Sequence, residues 1–109
     1  MALVGSDGVF AAQGLISTQP GASLALVCGY SGSSATRWLQ LFNTAALPAP
    51  GTKPRHSILV PAGATFSFAA SALAKPFGAG AYWAVSDTGP TLTLSADSFW
   101  VYWEGQSGQ

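Results

Sequence analysis

The residues able to do acid–base, nucleophilic or metal chemistry are few: one histidine, one cysteine, four acids and a scatter of serines. His56 could serve as a general base or a metal ligand, but it stands alone after Lys53-Pro54-Arg55. A zinc site needs three or four Cys, His or carboxylate ligands at short spacings. Cys28 ends the apolar run Leu24-Ala25-Leu26-Val27 with no basic neighbour, so it reads as a small buried hydrophobe rather than a reactive thiol. With one cysteine no internal disulfide can form. Of Asp7, Asp87, Asp97 and Glu104, three lie in or beside Gly- or Ser-rich turns, and Asp87 and Asp97 read as turn organisers. Gly29-Tyr30-Ser31-Gly32 misses the G-x-S-x-G nucleophile elbow by a residue, and no helix follows it. Gly78-Ala79-Gly80 and Gly51-Thr52-Lys53 likewise fall short of dinucleotide and phosphate-loop signatures. No catalytic, cofactor-binding or metal residue is therefore assigned, and a non-enzymatic protein is expected.

The aromatic residues carry more. Phe99-Trp100-Val101-Tyr102-Trp103 puts four aromatics in five positions. On a strand, Trp100 and Tyr102 point one way, and Phe99, Val101 and Trp103 the other. One face should fill the core. The other must be covered by a loop, a neighbouring subunit or a ligand. Trp38 and Trp83 pose the same question. Three readings stand: all four tryptophans in the core, some at a protein interface, or some forming a carbohydrate-stacking platform.

The composition favours an assembly. Only 7% of residues are charged while 49% are hydrophobic, against about a quarter charged in ordinary soluble domains. Such a surface suits a protein that faces other protein. The formal net charge is zero, and Arg37, Lys53, Arg55 and Lys75 are dispersed, so nothing suggests a nucleic-acid partner. The start of the chain lacks the basic and long apolar regions of a signal peptide. No apolar run approaches the roughly 18 residues that span a membrane. Synthesis in a cytoplasm, with no membrane partner, is the expectation.

The elements that must position these residues are strands. Thirteen glycines and seven prolines punctuate the chain, and short β-branched, aromatic and alanine-rich runs lie between them. Strands are expected at Val9 to Thr18 (with a bulge or bend near Gly14), Ser23 to Tyr30, Thr36 to Asn43, His56 to Val60 and Thr65 to Ala69. Others follow at Ala81 to Ser86, Thr91 to Leu94 and Ser98 to Glu104. In the second, Leu24, Leu26, Cys28 and Tyr30 should share one face and Ala25 and Val27 the other, both covered. Ala70 to Ala74 could form one helical turn before Pro76, and Leu47 to Pro54 is a proline-rich connection. The fold expected is a single-domain, all-β antiparallel sandwich over residues 1–109, jelly-roll-like, with about eight strands. Residues 1–8 would be an N-terminal arm and 105–109 a polar C-terminal tail.

The middle of the chain adds a resemblance. Trp38-Leu39-Gln40-Leu41-Phe42-Asn43, Ala46-Leu47-Pro48-Ala49 and Val60-Pro61-Ala62-Gly63 are followed by Phe66-Ser67-Phe68, Ala84-Val85-Ser86-Asp87-Thr88 and Thr91-Leu92-Thr93-Leu94. Their order, from about Thr36 to Val101, resembles small β-sandwich virion accessory proteins of tailed bacteriophages. The resemblance implies capsid decoration or cementing, with the major capsid protein or other virion subunits as partners. It transfers no functional residue. Location in the virion and homo-oligomerisation are expected alongside it, with Leu3, Val4, Val9, Phe10, Phe99 and Trp103 supplying subunit contact. The alternative is a carbohydrate-binding jelly roll of a phage spike or tail, acting in host adsorption. It would need polar residues beside an exposed tryptophan, for which Arg37, Gln40, Asn43 and Asp97 are the candidates.

Overall fold

The computed structural model describes residues 2–6, 10–18, 20–69 and 76–106, with the backbone alone at 2–4 and 69. Eight strands run in chain order: β1 (Ala2–Ser6), β2 (Gln13–Ser17), β3 (Ser23–Ser31), β4 (Arg37–Phe42), β5 (His56–Val60), β6 (Thr65–Ala69), β7 (Ala81–Ser86) and β8 (Phe99–Gln106). They form two four-stranded sheets, β1-β8-β3-β6 and β2-β7-β4-β5. The first strand pairs with the last, the second with the seventh, the third with the sixth and the fourth with the fifth, all antiparallel. The chain is thus one long hairpin ribbon, turned at the β4–β5 loop. Pairing of β3 with β8 and β4 with β7 rolls that ribbon into two layers, which is the jelly-roll topology. The all-β sandwich expectation holds.

Several boundaries move. β2 begins at Gln13 rather than Val9, which lies outside the described residues. Its irregularity falls between Leu15 and Ser17, just past Gly14. Part of the expected N-terminal arm is a strand: β1 pairs with β8, matching Gly5 to Trp103 and Ala2 to Gln106. β8 also runs into the expected tail. Thr91 to Leu94 forms only a single bridge, Leu94 to Ser86. The backbone bonds Asp87 N to Thr93 O at 2.8 Å and Ser95 N to Val85 O at 2.9 Å flank that bridge, and Ser86 Oγ accepts from Thr93 N at 3.0 Å, so a side chain adds to a ladder that stops at one step. The helical turn expected at 70–74 lies outside the described residues.

The core lies between the sheets. Leu39, Leu41, Trp83 and Val85 meet Val27, Phe99, Val101 and Trp103 there, all buried. Each such side chain contributes about 1.5–3 kcal/mol when fully buried. Alternation in β8 agrees with the sequence reading; in β3 it does not. There Leu24 pairs with Gly105 and Leu26 with Glu104, so Ala25 is an extra residue, a β-bulge. The bulge resets the period. Leu24 and Val27 both point inward, at 3% and 0% exposure, while Leu26, Cys28 and Tyr30 point out.

The outer faces of the two sheets differ. Phe42, Ala84 and Leu92, with Tyr82 against them, make a small second core outside β2-β7-β4-β5. The β4–β5 and β7–β8 loops fold over it, joined by Gly51 N to Leu92 O at 2.8 Å and Leu92 N to Thr52 O at 2.9 Å. Beneath them Gln40 is wholly buried, its amide nitrogen donating to Thr88 O at 2.9 Å and Gly89 O at 3.0 Å. On β1-β8-β3-β6 every described outward side chain is exposed or half-buried.

Candidate functional site

The open face is aromatic. β3 and β8 are central neighbours, and their register sets Tyr30 opposite Trp100 and Cys28 opposite Tyr102. Gly29 allows the close approach: a Cβ there would stand 1.9 Å from Trp100 O. Four rings form a continuous row. Phe10 meets Tyr30 edge-on at 5.3 Å between centroids. Tyr30 and Trp100 are near-parallel at 5.9 Å and 28°, and Trp100 and Tyr102 at 6.5 Å and 9°. Ring pairs of this kind add about 0.5–1.5 kcal/mol each, so the rings hold one another in the row. It is not buried: Phe10 keeps 46% of its surface exposed and Tyr30 43%.

The row is bordered by polar but almost uncharged residues. Thr65 and Ser67 of β6 lie opposite Tyr30 and Cys28, and both are exposed. Glu104 is the one charged side chain among the described residues that point outward here. It accepts a hydrogen bond from the Tyr102 hydroxyl at 2.6 Å. That bond, with burial and the carboxylate charge, pushes the Tyr102 hydroxyl above its ordinary range. Burial, then the Glu104 charge, pushes the Cys28 thiol up. Both groups stay protonated near neutrality, so the thiol is no thiolate nucleophile, and the Tyr102 hydroxyl proton is engaged by the Glu104 carboxylate on the same face.

The expected contact residues separate. Phe10 lies in the row, its ring 3.2 Å from where a Cβ on Gly32 would be. Leu3 and Val4 lie on β1, paired with Gly105 and Glu104; their side chains, and Val9 altogether, lie outside the described residues. Phe99 and Trp103 are in the domain's own core, at 0% and 5% exposure. This corrects the expectation for those two. The indole of Trp103 packs 3.3 Å from the Cβ position of Gly5 on β1, so the chain itself fills the space a partner would have used. β8 does have an outward face, but its residues are Trp100 and Tyr102. Tyr30 escaped the sequence reading because its exposure depends on the bulge at Ala25.

The remaining candidates are structural. Arg37 Nε lies 2.9 Å from both Asp87 Oδ1 and Asp97 Oδ2. Ser33 Oγ donates to Asp97 at 2.8 Å. The Ser33 bond foremost, with lesser help from Arg37 and Ser95, holds the Asp97 carboxyl below its usual range against the opposing effect of burial. The group ties the β3–β4 loop to the β7–β8 loop. His56 is half-buried beside Phe77, and burial with the Arg55 charge lowers its pKa. Among the described residues no three His, Cys, Asp or Glu side chains gather as a metal site would require. Trp83 is core, and Trp38 packs against Gly89 of the β7–β8 loop.

Comparison with known proteins finds no matching family model, no matching curated protein and no matching solved structure.

Proposed function

We propose that this chain is a non-enzymatic structural protein of a phage particle, one that decorates or cements a capsid through the outer face of β1-β8-β3-β6. One observation carries the contact face: the two sheets are treated unequally. The chain folds its own loops over the middle of one outer face, leaving Leu15 and Leu59 singly exposed at its edges, and gathers four aromatic rings in a row on the other. A contiguous aromatic row with little charge is the composition of an interface centre, where desolvation costs least. The assignment to a virion rests on the strand and turn motifs between Thr36 and Val101 and on the low charge. The capsid protein, or a second copy, is the partner this reading needs.

The carbohydrate reading is less well served. Its polar candidates do not lie beside Trp100. Gln40 is buried under a loop, Arg37 and Asp97 bind each other, and Asn43 Oδ1 accepts from Ala79 N at 2.8 Å.

The test replaces Tyr30 and Trp100 by serine. Both point outward, so circular dichroism should be unchanged. Self-association in sedimentation, occupancy on particles, or both should fall at least tenfold. Unchanged values in both would remove this face from the function. Quenching of Trp100 fluorescence by soluble oligosaccharides, with no self-association, would favour the adsorption reading instead.

A further inference from the structure

On the other sheet, the β4–β5 loop arches away from β4 and leaves a pocket of about 420 Å³ between strand and loop. That volume falls within the range of small-molecule sites, roughly 300–1,000 Å³, and far exceeds a single ion. Its walls divide by chemistry. Phe42, Pro48 and Pro54 give an apolar side. Lys53 and Arg55, half of the chain's four basic residues, line it too, and among the described residues no acidic one does.

The neutral polar groups point the same way. Asn43 Oδ1 is occupied by Ala79 N–H at 2.8 Å, which fixes the amide and leaves its NH2 to donate. Thr44 Oγ1 accepts from Ala46 N at 3.2 Å, leaving its hydroxyl proton free to turn to a ligand. Thr52 is spent within the loop, its hydroxyl donating to Ala49 O at 2.6 Å. Arg55 is held in place: Nη1 donates to Pro76 O, and the guanidinium carbon lies 4.9 Å from the centroid of the Phe77 ring.

We propose that this pocket binds a small organic anion, an oxyanion group joined to a compact apolar body. Lys53 and the Asn43 amide would hold the oxyanion, with the Arg55 charge beside them. Pro48 and Pro54, backed by the buried Phe42 ring, would take the apolar part. The site is independent of the aromatic face and stands whether or not that face meets a capsid.

Benzoate is the probe, with benzamide as its neutral match, inorganic phosphate as a bare oxyanion and phenyl phosphate as the alternative headgroup. In an amide NMR titration, benzoate should move the signals of Asn43, Thr44, Lys53 and Arg55, and benzamide should not. Binding should weaken several-fold between about 20 and about 200 mM salt. Lys53→Met should weaken it about fivefold. Asn43→Asp keeps an acceptor for Ala79 N–H but puts a carboxylate where the donor was, so it should abolish binding while the melting temperature holds. Tighter binding of phenyl phosphate than benzoate would support a phosphate-bearing ligand, and the reverse a carboxylate. Equal binding of benzamide and benzoate, or of benzoate to the Asn43→Asp variant and the parent, would overturn the proposal. Inorganic phosphate binding as tightly as benzoate would overturn the apolar half of it.

Discussion

Asp97 shows how much one carboxylate can organise. It takes hydrogen bonds from Ser33 and Arg37 and lies beside Ser95, which joins two loops far apart in sequence. Its pKa is depressed in the folded chain, below about 3.9 for an unfolded aspartate. The stability it supplies is therefore complete above the unfolded value. It is lost as pH falls through the folded one. Asp97→Asn should lower the melting temperature near pH 7, and the gap from the parent should close as pH drops towards about 2. A gap that stays constant with pH would mean that packing, not ionisation, is what the substitution disturbs. The sequence marked Asp87 and Asp97 as turn residues but gave no sign of Arg37 between them. That pairing depends on which loops meet at one end of the sandwich, a non-local fact.

At the scale of the strand, local pattern served well where the period was unbroken. β5, β6 and β7 have the bounds that turn residues and alternation imply. β3 did not yield, because one extra residue reverses the face of everything beyond it. That makes β3 open to a test by deletion. Removing Ala25 leaves Leu24 opposite Gly105 and Leu26 opposite Glu104 in a regular ladder, with Leu24 still inward. Removing Cys28 instead moves Val27, wholly buried now, to the outer face or pulls the strand out of register. The first variant should fold with at most a few degrees' loss in melting temperature. The second should lose at least the roughly 1.5–3 kcal/mol of a buried side chain, visible in urea unfolding. Comparable damage from both would show that the bulge itself is required.

For the molecule as a whole, the folded-ribbon topology brings the two extremes of the chain together. Ala2 and Gln106 are direct partners on adjacent strands, about 5 Å apart at Cα. Joining Gln109 to Met1 leaves four residues between these positions, a usual hairpin length. The natural turn at β4–β5 can then be opened between Ala46 and Leu47, both exposed. The rearranged chain should fold to the same sandwich, with an unchanged far-ultraviolet spectrum. Its one local pairing is then β8–β1 instead of β4–β5, so it should refold more slowly if the β4–β5 hairpin leads folding in the parent. Refolding as fast as the parent would mean that the β4–β5 hairpin does not lead. Such distant pairings also explain what sequence reading missed. Strand positions are local, but that the opening residues lie beside β8 is settled only when the whole ribbon rolls up.

The unequal treatment of the two sheets has a bearing on growth. On the proposed function, a subunit whose contact is confined to the ring row would terminate its own assembly. Two copies meeting row to row would bury both rows and offer no second row to a third. Copies laid on a shell would stop at a single layer. The adhesive power would be spent once per subunit, which is the difference between a coat and an aggregate.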